Sequence, residues 1–238
     1  MKEYSISTCF SPLWFSLFKN PEAHVVIIDV MRATTSICTA INNGAQGILP
    51  VGSVEEAREL KNKGYTLAAE RNAIILDFAD FGNSPDEFTK DRVENKIIAY
   101  STTNGTKAIK AAADCKNVLI GAFINLSNVS NFLIKNPADV ILFCAGWKGR
   151  FSLEDSLCAG AIADKLLNNN NFKSDCDSTT ASLDLWSIAK SDMHNYMKKA
   201  SHQKRLKGLV SNEIINYCHS IDIVNVLPCL KNGLIVKY

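Results

Sequence analysis

The chain has 238 residues, 47% apolar and 21% charged, with 26 basic against 24 acidic side chains and a net charge of +2. That length supports one large or two small cores, and the balance excludes a disordered or membrane-embedded chain and gives no electrostatic reason to bind nucleic acid. The one basic stretch, Lys198 to Lys207, reads as a solvated helix face.

Eight cysteines show no CxxC pairing, so neither a disulfide scaffold nor a structural zinc site is indicated. Most lie inside apolar runs, where thiols act as small hydrophobes, and a reducing cytoplasm is the expected location. The apolar stretch Phe10 to Phe18 is interrupted by Ser11, Pro12 and Ser16, too short and broken for a signal peptide or a membrane span.

Along the chain, short apolar runs end in polar or glycine-containing turns and then meet helical periodicity. His24 to Ile28 predicts a strand ending at Asp29, followed by a helix from Ala33 to Asn42 with Ile37, Ala40 and Ile41 on one face. Gly47 to Val51 predicts the next strand. Ser53 and Glu56 then form a capping box opening a charged surface helix to Asn62. A strand over Tyr65 to Ala69 stops at Glu70-Arg71. Another, Lys96 to Ser101, leads through Thr102-Thr103-Asn104-Gly105-Thr106 into a helix from Ala108 to Ala113. Asn117 to Phe123 and Asp139 to Cys144 are further strands, separated by a helix that follows Asn125 and stops near Pro137. The loop Ala145 to Ser152 precedes a helix over Leu153 to Leu167. Beyond it, Asn168 to Thr179 reads as a polar loop, Thr180 to Ala200 and Asn212 to His219 as helices, and Val224 to Leu227 with Leu234 to Val236 as closing strands.

Strands alternating with helices of about ten to fifteen residues indicate α/β architecture: a mostly parallel sheet layered by helices on both faces. We expect one domain over residues 1–238; two similar α/β lobes with the site between them fit the same alternation. Ligands of such sheets bind outside the carboxyl ends of the strands, where Asp29, Glu70, Thr102 and Gly146 fall.

Three strand ends besides the threonine turn carry candidate chemistry. Asp29 is followed by Arg32, Thr34 and Thr35 at a helix start, offering a metal ligand and an anion clamp; an Asp–Arg ion pair beside a threonine cap uses the same residues. Glu70-Arg71, with Asp77, Asp80 and the turn Gly82-Asn83-Ser84-Pro85 downstream, offers the hard oxygen donors that magnesium prefers; Glu70, at a strand end, is the stronger candidate, while Asp77 and Asp80 taken singly read as solvated surface charges and Gly82 to Pro85 as an ordinary turn before a helix. The loop after Cys144 brings Lys148 and Arg150 to a helix whose first turn holds Glu154 and Asp155. The turn Thr102 to Thr106 suits a helix cap or a bound phosphate. No P-loop, GxGxxG or GxSxG motif is present. The four histidines lack metal-ligand spacing, and only His202, among basic residues, is a candidate to act on a substrate. Carboxylates, arginine and hydroxyl-rich helix N-termini together suit a metal-assisted reaction at a phosphate ester.

In order and spacing, Asp29-Val-Met-Arg32-Ala-Thr34-Thr35, Glu70-Arg71, Asp80-Phe-Gly82-Asn83-Ser84-Pro85, Thr102-Thr103-Asn104-Gly105-Thr106, Asn125, Cys144-Ala-Gly146 and Phe151-Ser-Leu-Glu154-Asp155 with Cys158-Ala-Gly160 resemble the 2-phosphosulfolactate phosphatase family, the magnesium-dependent enzymes of coenzyme M biosynthesis. Ser201-His202 agrees more loosely, and Met31 stands where the family usually has leucine. The resemblance implies hydrolysis of a phosphate monoester of a 2-hydroxy acid, such as (R)-2-phospho-3-sulfolactate to sulfolactate and phosphate. It implies Mg²⁺ among Asp29, Glu70, Asp155 and Glu154, with Asp29 and Arg32 catalytic. Thr34, Thr35, Arg71, Asn83, Ser84, Thr102, Thr103, Asn104, Gly105, Thr106 and Asn125 would bind phosphate and substrate, and Lys148 and Arg150 would meet the sulfonate or carboxylate. Position 31 is methionine, so the Asp-x-Asp scheme of haloacid dehalogenases does not transfer. The alternatives are a metal-dependent phosphatase of another small phosphorylated acid and a non-catalytic protein that binds phosphorylated or sulfonated acids. The expected partner is a small phosphorylated acid, with no nucleic acid or membrane; a homo-oligomer is compatible with the sequence.

Overall fold

The computed structural model describes residues 3–71, 74–102, 104–206 and 208–238. Its strands and helices are β1 (Tyr4–Cys9), α1 (Phe15–Phe18), β2 (His24–Ile28), α2 (Ala33–Asn42), β3 (Gly47–Pro50), α3 (Val54–Asn62), β4 (Thr66–Arg71), β5 (Ile74–Ile75), α4 (Lys90–Val93), β6 (Ile97–Ser101), α5 (Gly105–Ala111), β7 (Asn117–Gly121), α6 (Leu126–Lys135), β8 (Val140–Cys144), α7 (Leu153–Leu167), β9 (Phe172–Lys173), α8 (Asp177–Ala189), α9 (Met193–Met197), α10 (Ser201–Leu206), α11 (Asn212–His219), β10 (Pro228–Lys231) and β11 (Leu234–Lys237).

Among the described residues the strands form one sheet in the order β5-β4-β6-β3-β11-β10-β7-β2-β8-β1-β9. It is the mostly parallel α/β sheet that the alternation predicts. β2 shows why: all five of its residues are buried, as a strand covered on both faces requires. The period of two sends Val25 and Ile27 into a core shared with Ile37 and Ile41 of α2, and Val26 and Ile28 into one shared with Leu157 and Ile162 of α7. A smaller core of Val51, Ala57, Leu67, Ala69 and Ala99 lies under α3.

The sheet consists of two parallel blocks, β4-β6-β3 and β7-β2-β8-β1-β9. The β10–β11 hairpin joins them through antiparallel pairs, Cys229 opposite Leu119 and Ile235 opposite Ile48. Three antiparallel steps leave the blocks running in opposite senses along the sheet. Their carboxyl ends do meet: a Cβ on Gly105, after β6, would lie 2.8 Å from the Ala33 Cβ and 3.0 Å from the Asp29 Oδ2, after β2.

Several elements depart from the sequence reading, and the short β5, β9 and α10 are additions to it, β9 falling in the stretch read as a polar loop. β1 fills the position between β8 and β9. The expected strand Val224 to Leu227 begins instead at Pro228, because Asn232 and Gly233, at φ 51° and 81°, form a two-residue hairpin turn that sets Lys231 opposite Leu234. The helix expected over Thr180 to Ala200 is two helices, the second capped by the Asp192 carboxylate, which accepts the Asn195 N–H at 3.1 Å. α5 starts at Gly105, so Gly105 and Thr106 belong to its first turn. All eight cysteines are free thiols, seven of them buried, and no described helix is long and apolar enough to cross a membrane.

Candidate active site

Asp29 follows the last residue of β2 and is held by the turn into α2. Its N–H donates to Thr34 Oγ1 at 3.1 Å, its carbonyl accepts the Thr34 N–H at 2.9 Å, and Thr35 Oγ1 donates to the Val30 carbonyl at 2.8 Å. Asp155, in the first turn of α7, ties this turn to the end of β8: Oδ1 accepts the Val30 N–H at 2.9 Å and Oδ2 the Gly146 N–H at 3.1 Å. The Gly82–Pro85 turn is drawn onto α2 by Ser36 Oγ, which donates to the Asn83 carbonyl at 2.6 Å, and closed by Glu87, whose carboxylate accepts the Gly82 and Ser84 N–H groups. Asn104 Oδ1 accepts the Lys148 N–H at 3.2 Å, linking the turn before α5 to the loop after β8. Ends of both blocks are thereby fixed around Asp29.

The cluster is strongly acidic. Burial first, then the charges of Glu70 and Glu154, lift the Asp29 carboxyl to about 6, against the lowering effect of His202 and the Ala33 N–H. Burial and the charges of Asp29 and Glu154 push Asp155 well above the usual carboxylate range despite its two N–H donors. Burial would raise Glu154 too, but the His202 imidazole, with Nδ1 2.5 Å from Glu154 Oε1, holds it below its ordinary value. Buried polar atoms are normally paired. Here Thr102 Oγ1, Asn83 Oδ1 and Glu154 Oε2 are buried without a hydrogen-bond partner among the described residues. The half-buried Arg32 guanidinium likewise makes no ion pair with a described residue.

Several expected ligand-binding residues brace the scaffold instead. Asn125 is fully buried, accepting the Ala122 N–H and donating to the Ile120 and Val226 carbonyls, so its amide locks the corner between β7 and α6. Arg71 bends back to the Glu70 carbonyl at 2.6 Å and Ser101 Oγ at 2.9 Å, lashing β4 to β6. The Thr34 and Thr35 hydroxyls close their own turn, and Thr106 Oγ1 donates to the Thr102 carbonyl. Asp155 has both oxygens on backbone N–H groups, which argues against its expected role as a metal ligand. Ser84 is half-buried at the start of a 3-10 turn, and Lys148 and Arg150 are exposed at the tip of the loop after β8. Thr103 lies outside the described residues. His202, the histidine that the sequence singles out as a candidate to act on a substrate, stands on Glu154, and Arg205, absent from the expected set, lies with its guanidinium 3.9 Å over the Trp147 ring beside Lys148.

The family model described as 2-phosphosulpholactate phosphatase matches residues 16–233. The chain belongs to that family. Proteins named "Probable 2-phosphosulfolactate phosphatase" are similar to it along nearly their whole length. That of Caldanaerobacter subterraneus subsp. tengcongensis is 39% identical over 90% of both chains. That of Clostridium novyi is 42% identical over 86% of this chain and 87% of its own. That of Thermotoga maritima is 39% identical over 89% and 90%.

The 2-phosphosulfolactate phosphatase resemblance implies magnesium, and the donor set can be tested for it. No group of three His, Cys, Asp or Glu side chains among the described residues forms a ready-made metal cage. Magnesium, however, is usually held by one or two carboxylates, with substrate phosphate and water completing the octahedron. Asp29 and Glu70, each buried and within electrostatic reach of the other, fit that arrangement. Asp155 has both oxygens on backbone N–H groups, and Glu154 gives one of its oxygens, Oε1, to His202.

Proposed function

We propose that the chain is a magnesium-dependent phosphatase that hydrolyses (R)-2-phospho-3-sulfolactate to sulfolactate and phosphate. The observation that carries this reading is the buried Asp29 carboxylate, set where the N-termini of α2 and α5 meet, with Glu70 in electrostatic reach and the Arg32 guanidinium without an ion-pair partner among the described residues. A binding protein for anions gains nothing from such acids, since they repel the ligand unless a cation intervenes.

Asp29 and Glu70 would hold the ion, which neutralises charge on the phosphoryl oxygens when bound. Arg32 offers a planar fork of donors to the same oxygens, and Thr102 Oγ1 adds a hydroxyl donor beside them. Lys148 and Arg150 meet the sulfonate and carboxylate at the rim. The scaffold's part is to hold these groups before substrate arrives, so that little reorganisation accompanies the reaction.

Phosphate release from synthetic 2-phosphosulfolactate across a magnesium titration tests the reading. We expect turnover that needs magnesium, exceeds that on sugar phosphates, and falls by roughly 10²-fold or more in Asp29→Asn and Glu70→Gln. Equal rates on sugar phosphates would remove the substrate assignment, and unchanged rates in both variants the metal assignment.

A further inference from the structure

Cleaving an alkyl phosphate places an electron pair on a basic alkoxide oxygen, which leaves readily only if a proton reaches it. The groups that grip phosphate cannot give one, since arginine does not deprotonate and the acids are needed ionised. One imidazole stands beside the acids. His202 on α10 sets Nδ1 2.5 Å from Glu154 Oε1 and is close enough for its charge to act on the Asp29 carboxyl. The helix is seated over the loop after β8 by Arg205, which stacks on Trp147 and donates to Ser201 Oγ at 3.0 Å. Glu154 is only 1% exposed, so its carboxylate is fixed, and a carboxylate on Nδ1 orients the ring, leaves Nε2 for the substrate and stabilises the imidazolium.

We propose that His202 is the general acid of this site, with Glu154 as the residue that positions it. The inference rests on the phosphatase reading above. In the step, the oxygen of a water molecule bonds to phosphorus and carries its two protons into dihydrogen phosphate. The ester P–O bond breaks with its electron pair on the 2-oxygen, which takes the Nε2 proton of His202. The dihydrogen phosphate then sheds one proton to solvent, and the neutral imidazole takes one up. His202 faces Glu154 from α7 and Asp29 from the end of β2, with Arg205 on its own helix, while Asp155 and His219 act on Glu154 in turn. His219 does not substitute for it, because it is buried, stacked edge-on to Phe123, and packed in the core beside α7.

The test compares 2-phosphosulfolactate with 4-nitrophenyl phosphate, whose phenolate leaves without protonation, in wild-type protein, His202→Gln and Glu154→Gln. For His202→Gln we expect kcat on the alkyl ester to fall by about 10²- to 10⁴-fold and on the aryl ester by less than about tenfold, the aryl rate doubling as a check on folding. Glu154→Gln should lower kcat on the alkyl ester more than it raises KM, with a smaller loss on the aryl ester. Equal losses on both esters, or full alkyl activity in His202→Gln, would overturn the acid role, and a Glu154→Gln variant that loses both esters equally or changes KM alone the positioning role. Wild-type protein that releases phosphate from neither ester would instead sink the phosphatase reading.

Discussion

Burial and the nearby Glu70 and Glu154 lift the Asp29 carboxyl to about 6, so the group the reaction needs in its charged form is one the fold resists charging. Its pKa in the folded chain lies above that in the unfolded chain. The associated stabilisation is therefore complete below about pH 4 and lost as pH rises through about 6. At pH 7.5 without metal, ionised Asp29 lowers stability by on the order of 2–3 kcal/mol. Asp29→Asn should raise the melting temperature in chelator at pH 7.5, with the advantage vanishing near pH 4, while phosphate release is lost. A lower melting temperature for the variant at pH 7.5 would count against this account. Asp155 gives the opposite expectation. Whatever its charge, it occupies the Val30 and Gly146 N–H groups, and Asp155→Ala leaves both buried and unpaired at a cost of on the order of 2–4 kcal/mol. Thermal unfolding should show that loss. Stability equal to wild type, with a raised magnesium requirement, would return Asp155 to the metal.

At the scale of elements, α7 carries Glu154 and Asp155 at one end and a backbone contact further along. A Cβ on Gly160 would sit 2.1 Å from the Ser182 carbonyl oxygen, so α7 and α8 touch where no side chain fits. Gly160→Ala must push the helices apart, and we expect a loss of about 2 kcal/mol or more, a drop of roughly 4–8 °C in melting temperature. The glycine in the Cys158-Ala-Gly160 motif is thus explained by packing rather than by the site. β2, α2, α6, α7 and α11 were legible because apolar periodicity is decided by their own residues. β1 was not, because Ser5, Ser7 and Thr8 dilute its pattern and Thr8 becomes acceptable in the core only through Thr179, 3.1 Å away and 171 residues on. The closing hairpin was misregistered because Val224, Val226 and Leu227 outweighed Asn232-Gly233, the local signal that fixes the turn. Acids at strand ends could be read from turn placement. Which carboxylate oxygens are already engaged could not, since Val30 and Asp155 are 125 residues apart.

For the whole molecule, the consequence of two parallel blocks joined by one hairpin is that the acids proposed to bind metal belong to different blocks. Asp29 follows β2, and Glu70 lies in β4 on the far side of β10 and β11. An ion held by both ties together carboxyl ends that the sheet, among the described residues, connects through the pairs Cys229–Leu119 and Ile235–Ile48 at the hairpin's flanks. Magnesium with inorganic phosphate should therefore act on global stability. At a hundredfold excess over the dissociation constant, binding to the folded state alone adds about 2.7 kcal/mol, or roughly 5–11 °C in melting temperature. Because the bridge needs a carboxylate from each side, Asp29→Asn and Glu70→Gln should each abolish the joint shift, while Asp155→Ala keeps it on a lower baseline. Differential scanning fluorimetry with magnesium alone, phosphate alone and both together separates the cases. A shift that survives Glu70→Gln would mean that the ion sits within one block, and that the meeting of the two blocks at Asp29 serves packing rather than metal binding.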